Sequence, residues 1–201
     1  MLTLYDFMGS GNGYKVRLLL AQLGIPYELV ECDILKGETR TPEFLAKNPN
    51  GRIPTLQLED GTCLAESGAI LWYLAEGTKF VPEYRLERAQ TLQWMFFEQN
   101  IHEPNVAGAR FLTMYLQLPD PRRADLDRIR KLGYDALGVM ESHLAHHRYF
   151  VGERYSIADI ALYAYTHVAP EGGFDLARFP SIRHWIDRVK TQPRLIPITQ
   201  A

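Results

Sequence analysis

The stretch from Asn50 to Ala75, NGRIPTLQLEDGTCLAESGAILWYLA, constrains the fold more than any other part of the 201-residue chain. Thr55 to Glu59 alternates apolar and polar residues, a pattern typical of a strand. Asp60-Gly61 is a strong signal for a tight hairpin turn, and Thr62 to Ala65 predicts the returning strand. The apolar residues that follow predict a helix. The segment therefore predicts a β-hairpin that leads directly into a helix.

Polar groups cluster where that predicted helix begins. Glu66 and Ser67 place an anion, a hydroxyl and the N–H groups of a helix N-terminus at one point. Pro54 precedes the first strand of the hairpin; it has no N–H to donate, and it forces Ile53 to present its backbone outward. This combination suits a peptide-like zwitterion that carries both an ammonium and a carboxylate.

The residues before the hairpin predict a βαβ unit. Met1 to Asp6 and Tyr27 to Cys32 are predicted strands, and Tyr14 to Leu23 between them is a predicted helix with one apolar face. A helical crossover between two strands implies that they pair in parallel. Thr41-Pro42 predicts the start of a short further helix, because threonine caps helices and proline suits the first helical position. The predicted order is β-α-β-α-β-β-α, which is a thioredoxin-like α/β arrangement.

The composition changes after the predicted hairpin and helix, and no convincing strand follows. Helices are predicted in four later segments: 86–111, 124–143, 156–167 and 181–191. Pro119-Asp120-Pro121 interrupts this pattern, and Ser156 to Asp159 is a variant of the capping box that starts a helix. We therefore expect a thioredoxin-like domain over residues 1–77, a linker over 78–84 and an all-helical domain over 85–201.

Charge and composition exclude several classes of protein. The net charge of −2 gives no basic surface for nucleic acid or an anionic membrane. No apolar run approaches the ~20 residues that a membrane span needs, and the N-terminal residues lack the pattern of a signal peptide. Cys32 and Cys63 are far apart and neither belongs to a CxxC pair, so we expect no metal site and no dithiol chemistry. The expected location is the cytoplasm.

With the proline, the hairpin and the Glu66-Ser67 pair followed by a helical domain, the chain resembles the cytosolic glutathione S-transferase family. The resemblance implies that Pro54 is cis and that the backbone of Ile53 pairs with the cysteinyl part of glutathione. It implies that Glu66 and Ser67 hold the γ-glutamyl end. Glutathione is then a co-substrate, no other cofactor is needed, and the protein is expected to be a homodimer.

The resemblance also implies a polar residue near the glycine end of glutathione. Thr39, in the loop before the second predicted helix, aligns best with the polar residue that the family uses there. Lys36 in the same loop is the alternative, because it would supply positive charge for the glycine carboxylate.

Glutathione transfer requires a thiolate, whereas a free thiol with a pKa of ~8.5 is ionised to only a few per cent at neutral pH. A hydroxyl or amide that donates to sulfur beside a helix N-terminus favours the anion. Ser10 and Asn12 lie in the first βα turn, where such a donor is expected, and their spacing resembles that of bacterial serine-type or Nu-class-like members. Tyr5 is a third candidate, since tyrosine-type classes carry their phenol in the first strand. Helix capping is the alternative role for Ser10 and Asn12.

These residues predict an enzyme that ionises bound glutathione and conjugates it to a soft, hydrophobic electrophile. The Ser10-x-Asn12 turn leaves open glutathione-dependent reduction of a disulfide or peroxide, as Nu-like members suggest. A non-enzymatic glutathione-binding or interaction protein is a third interpretation, because fold does not fix chemistry. In the helical domain, Arg110, Phe111 and Met114 are the predicted walls of the second-substrate pocket.

Overall fold

The computed structural model describes residues 1–116 and 124–201. These residues divide into two units, one formed by Met1–Thr78 with Pro193–Ala201 and the other by Lys79–Gln192. The predicted break at Pro119-Asp120-Pro121 lies outside the described residues. Within the described ranges, no helix has both the length and the apolar character required to cross a bilayer.

The first unit is built on a four-stranded sheet with the order β2-β1-β3-β4. Its strands are β1 (Leu2–Asp6), β2 (Tyr27–Glu31), β3 (Thr55–Gln57) and β4 (Cys63–Ala65). Strand β1 runs parallel to β2, with Leu4 opposite Leu29, and antiparallel to β3, with Tyr5 opposite Thr55. The parallel pair and the β3–β4 hairpin confirm the predicted thioredoxin-like order.

The helices of this unit are α1 (Gly11–Leu23), α2 (Pro42–Leu45) and α3 (Ser67–Ala75). They enclose a fully buried apolar cluster with the sheet, formed by Leu4, Val16, Leu20, Leu56 and Ile70. Helix α2 begins as predicted, with the Thr41 hydroxyl accepting a hydrogen bond from the N–H of Phe44. Helix α1 begins at Gly11 rather than at Tyr14, because Ser10 caps its first turn.

The C-terminal segment Pro193–Ala201 belongs to the first unit, although the sequence placed it in the helical domain. The buried guanidinium of Arg17 donates to the carbonyl of Ile198 at 2.9 Å. The hydroxyl of Tyr14 donates to the carbonyl of Ile196 at 2.7 Å. Both donors lie on α1, so the side of α1 that carries them is covered by the end of the chain.

The second unit is helical, as the sequence predicts. It contains α4 (Arg85–Phe97), α5 (Glu103–Met114), α6 (Leu126–Leu144), α7 (Ile157–Thr166) and α8 (Pro180–Lys190). One π-helical turn, Glu98–His102, connects α4 to α5 and was not predicted.

The predicted capping box at the start of α7 is confirmed. The carboxylate of the fully buried Asp159 accepts the backbone N–H of Ser156 at 2.9 Å, while the Ser156 side chain accepts from the backbone N–H of Asp159. The same carboxylate accepts the indole N–H of Trp185 at 2.9 Å and the backbone N–H of Phe150 at 3.3 Å. The cap of α7 therefore also fastens α8.

Candidate functional site

The loop before β3 presents backbone groups that the rest of the described chain does not use. The peptide bond between Ile53 and Pro54 is cis, as the family resemblance implies. The carbonyl of Arg52 accepts from the side-chain amide of Asn48 at 2.8 Å and from the hydroxyl of Thr55 at 3.2 Å. Within residues 1–116 and 124–201, the N–H and C=O of Ile53 have no hydrogen-bond partner. The buried side chains of Asn48 and Thr55 thus hold the loop, and the assignment of the Ile53 backbone to a ligand stays a prediction.

Glu66 occupies a strained backbone conformation at the mouth of α3. Its φ of 66° and ψ of 113° lie outside the regions that non-glycine residues ordinarily adopt. Such a conformation costs of order 1–3 kcal/mol and persists only where the surroundings enforce it. The exposed Glu66 side chain makes no capping hydrogen bond to α3, so the strained conformation does not provide a side-chain cap for this helix.

Ser67 joins the two parts of the site that the sequence predicted separately. It is the first residue of α3 and is 4% exposed. Its hydroxyl donates to the side-chain oxygen of Asn12 at 3.2 Å. The structure therefore brings the γ-glutamyl pocket predicted at Glu66 and Ser67 into contact with the first βα turn.

Ser10 and Asn12 have different roles within that turn. The oxygen of Ser10 accepts from the backbone N–H groups of Asn12 and Gly13 at 3.2 and 3.5 Å, so it acts as the N-cap of α1. A hydroxyl that accepts through its oxygen still has a proton to donate. The side chain of Asn12 is half-buried and takes no part in capping; its oxygen accepts from Ser67 and, at 2.7 Å, from the ammonium of Lys15.

Gly13 explains how the turn comes so close to the sheet. A Cβ at this position would lie 1.6 Å from the carboxylate of Asp6, so only glycine fits. Asp6 is fully buried, and it accepts from the Phe7 N–H at 2.7 Å and from the guanidinium of Arg17 at 2.9 Å. Burial raises the pKa of the Asp6 carboxyl to about 7, although Arg17 and the Phe7 N–H favour the carboxylate.

Comparisons with known proteins agree with this geometry. The glutathione S-transferase N-terminal domain matches residues 1–76, and the C-terminal domain of the same family matches residues 105–193. The disulfide-bond oxidoreductase YfcG of Escherichia coli (strain K12) is 33% identical, across 96% of this chain and 92% of that protein. The chain belongs to the glutathione S-transferase family.

Solved structures of other members have the same fold. A glutathione S-transferase from Pseudomonas fluorescens Pf-5 is 56% identical and superposes with a TM-score of 0.96, covering 99% of each chain. The glutathione transferase URE2P6 from Phanerochaete chrysosporium, solved in complex with oxidized glutathione, is 30% identical with a TM-score of 0.86. That alignment covers 96% of this chain and 92% of the other.

In this member of the glutathione S-transferase family, the side chain of Tyr5 contacts residues of the sheet and of α2. Its hydroxyl donates to the side chain of Gln57 at 3.1 Å, and its ring packs edge-on against Phe44 with centroids 6.1 Å apart. Among the described residues, no hydrogen bond joins Tyr5 to the first βα turn or to Ser67. These contacts are those of a packing residue on the sheet.

Two residues were predicted for the glycine end of glutathione. Thr39 lies in a 3₁₀ turn, Glu38–Arg40, and is only 4% exposed. Lys36 is exposed and pairs with Asp33 at 2.9 Å, and this hydrogen bond raises the pKa of Lys36. Assignment of either residue to the glycine carboxylate stays a prediction.

The candidates for the second-substrate pocket all lie on α5. Arg110 is 7% exposed and its guanidinium donates to Glu171 at 2.6 Å. Phe111 packs near Tyr115 with ring centroids 5.8 Å apart, and Met114 is 53% exposed. Arg110 is thus paired with Glu171, whereas Met114 is accessible, and assignment of the three residues to a second-substrate pocket stays a prediction. No cluster suited to a metal ion occurs in residues 1–116 and 124–201.

The sequence analysis missed Lys15. This residue is 1% exposed, which is unusual for a lysine, and its ammonium contacts the candidate sulfur donor Asn12. The available signal was the spacing, because residues three apart on a helix lie on one face.

Proposed function

We propose that this protein binds glutathione in its first unit, ionises its thiol and conjugates the resulting thiolate to a soft, hydrophobic electrophile. The observation that carries this proposal is the hydrogen bond between Ser67 and Asn12. It supports the proposal because it joins the residue that we assign to the γ-glutamyl end to an amide at the N-terminus of α1, which is where a thiolate needs donors.

Each part of glutathione has a matching group. The carboxylate of Glu66 suits the γ-glutamyl ammonium, and the backbone N–H of Ser67, at the positive end of α3, suits the adjacent carboxylate. The N–H and C=O of Ile53 suit the cysteinyl backbone, in the manner of a short antiparallel strand pair. These contacts direct the cysteinyl side chain towards the first βα turn.

Asn12 and Ser10 then stabilise the sulfur anion. A donor whose hydrogen bond to sulfur strengthens when the thiol ionises lowers the thiol pKa. Each unit of pKa corresponds to about 1.4 kcal/mol of stabilisation of the thiolate relative to the thiol. The thiolate attacks the electrophilic carbon, a carbon–sulfur bond forms, and the leaving group departs with its electron pair. The thiol proton passes to solvent.

Reduction of a disulfide by glutathione is the second candidate. It is favoured by the 33% identity to a protein described as a disulfide-bond oxidoreductase and by a relative solved with oxidized glutathione. Cys32 is 5% exposed, and burial raises the pKa of its thiol to about 11, so it is unsuited to exchange. We propose that any such reaction takes place between sulfur atoms of bound substrates, without Cys32.

Two assays separate these reactions. We expect the purified protein to conjugate glutathione to chlorodinitrobenzene and Asn12→Ala to lose about tenfold or more of that rate. Asn100→Ala, an exposed asparagine in the second unit, is the matched control and keeps the full rate. Activity with 2-hydroxyethyl disulfide alone would establish the second candidate instead. A protein that neither binds glutathione nor acts in either assay would contradict both.

We also propose that the protein is a homodimer, in keeping with the family. Tyr73 on α3 is 53% exposed, so its side chain is accessible to a partner subunit. Sedimentation equilibrium is the test, and a monomer at all concentrations would contradict the proposal.

A further inference from the structure

We infer that Arg17 is a positioning residue of the sulfur site: its guanidinium fastens the first βα turn to the sheet and to segment 193–201, and so sets where Ser10 lies. The inference rests on the proposed function, because it concerns the same thiolate. It starts from the burial of Arg17, which has no exposed surface, whereas arginine is almost never fully buried unless it is paired.

The guanidinium of Arg17 donates to three separate parts of the first unit. Its Nε donates to the carboxylate of Asp6 on β1 at 2.9 Å, and its Nη2 donates to the carbonyl of Met8 at 2.8 Å. Its Nη1 donates to the carbonyl of Ile198 at 2.9 Å and also to the carbonyl of Gln200. Because a guanidinium is planar and rigid, it holds these three parts in fixed positions relative to one another.

Met8 is the residue of the first βα turn that these contacts hold. Its N–H donates to the carboxylate of Glu31 at 2.9 Å, so both the N–H and the C=O of Met8 are bound by side chains. The turn closes around it, because the N–H of Ser10 donates to the carbonyl of Phe7 at 2.7 Å. The place of Ser10 therefore depends on the place of Met8.

The position of Ser10 matters for the sulfur because a hydrogen bond depends steeply on distance and angle. Its hydroxyl oxygen accepts from N–H groups in the first turn of α1, and its proton is the part that can be donated to a sulfur anion. A displacement of about 1 Å is enough to weaken such a contact. The residues that hold the turn thus decide how well Ser10 stabilises the thiolate.

Segment 193–201 contributes to this arrangement through its backbone. The N–H of Gln200 donates to the carbonyl of Pro197 at 3.0 Å, which forms a turn. Within this turn, the carbonyls of Ile198 and Gln200 both accept from the same nitrogen of Arg17. A buried donor that loses its acceptors costs free energy, so Arg17 favours the docked segment. The docked segment in turn holds Arg17 in the place from which it reaches the first βα turn.

The first test measures the thiol pKa of bound glutathione, from the ultraviolet absorbance of the thiolate as a function of pH. Arg17→Lys keeps a cation for Asp6 but loses the planar fork that also reaches Met8 and the segment. We expect this variant to raise the thiol pKa by about one unit. At a pH below both values, kcat at saturating glutathione should fall about tenfold, with KM for glutathione nearly unchanged.

The control for this test is Arg188→Lys. Arg188 also donates to a backbone carbonyl, that of Arg148, but it is exposed and lies in the second unit. The control should keep the thiol pKa and kcat of the parent. Urea unfolding of all variants selects conditions in which each is folded, so a loss of stability is measured apart from the change at the sulfur.

A variant that lacks residues 198–201 tests the part played by the segment. It removes the carbonyls of Ile198 and Gln200 and leaves the pair of Arg17 with Asp6 in place. We expect it to raise the thiol pKa by about half a unit, and to add little to the effect of Arg17→Lys, because it acts through that guanidinium. An equal rise in both backgrounds would overturn the path from the segment to the turn.

Amide hydrogen exchange at Ser10 follows the turn in the absence of glutathione. We expect this exchange to quicken about tenfold in Arg17→Lys and to stay unchanged in Arg188→Lys. If Arg17→Lys loses stability but keeps the thiol pKa of the parent, Arg17 is a structural residue and the inference is overturned. If the unmodified protein does not bind glutathione, or binds it without lowering the thiol pKa, the proposed function fails instead.

Discussion

Helices α3 and α7 begin in opposite ways. At α7, the side chains of Ser156 and Asp159 satisfy the backbone N–H groups of the first turn, and both residues are buried. At α3, Glu66 has a positive φ and gives the helix no side-chain cap, while the Ser67 hydroxyl is directed to Asn12. Both starts have an acidic residue and a serine within four positions, so composition alone does not separate them.

The difference shows how a site for a ligand can be told from a site for stability. The first N–H groups of a helix need acceptors from outside the helix. At α7 the chain supplies them, and the same carboxylate reaches Trp185 in α8. At α3, Glu66 instead has a strained backbone and an exposed carboxylate. We propose that glutathione supplies the acceptor for the first N–H groups of this helix.

The largest effect is expected at the start of α7, where side chains of the protein accept the buried N–H groups. Asp159→Ala removes the acceptor of three buried N–H groups, so we expect the free energy of unfolding to fall by about 3 kcal/mol or more. Urea unfolding measures this change. Asp135→Ala, an exposed aspartate on α6, is the control and should lie within about 0.5 kcal/mol of the parent. A loss at Asp159 as small as in the control would remove the distinction between the two helices.

The two serines should give opposite results. Ser67→Ala is expected to weaken glutathione binding about tenfold and to change the free energy of unfolding by less than about 1 kcal/mol. Ser156→Ala is expected to cost about 1 kcal/mol of stability, as is usual for a helix cap, without changing glutathione affinity. Calorimetric titration and urea unfolding of both variants make the comparison. If Ser67→Ala destabilises the protein and binds glutathione normally, Ser67 is a structural residue.

The strain at Glu66 predicts a gain in stability on mutation. Glycine adopts a positive φ without steric cost, so Glu66→Gly should raise the free energy of unfolding by about 1 kcal/mol while weakening glutathione binding. Glu153 is an exposed glutamate with a φ of 54°, and Glu153→Gly is the matched control. It should leave glutathione affinity unchanged. Unchanged affinity in Glu66→Gly would show that its carboxylate does not hold the ligand.

The smallest effect is the contribution of one half-buried histidine, His143, to the pH dependence of stability. Burial lowers the pKa of His143, whose ring packs 4.8 Å from Trp94 and 5.5 Å from Phe150. At this residue the folded protein therefore takes up its proton at a lower pH than the unfolded chain, so the contribution of His143 to stability is lost as the pH falls through about 6.5. We expect His143→Gln to flatten this part of the stability profile. A profile that keeps the same slope in the variant would assign it to another group.

Local signals account for what the sequence predicted well. The Asp60-Gly61 turn, the Thr41 cap and the capping box at Ser156 each depend on residues within four positions, and all three lie where they were expected. The start of α1 was within reach of the same reasoning, since Ser10 is a common capping residue.

Long-range contacts account for what the sequence did not reveal. Gly13 is needed because Asp6 of β1 lies against it, and Arg17 is buried because the end of the chain returns to α1. Residue type told us that Ser67 and Asn12 suit a ligand, whereas only the fold shows that they touch.

A calorimetric titration with glutathione and, in parallel, with cysteinylglycine tests the central claim most directly. Cysteinylglycine lacks the γ-glutamyl end that we assign to Glu66 and Ser67. We predict saturable binding of glutathione at one site per chain and binding of cysteinylglycine at least about tenfold weaker. Equal affinity for the two peptides would contradict the role that we assign to Glu66 and Ser67 at the start of α3. No binding of glutathione would contradict the proposed function.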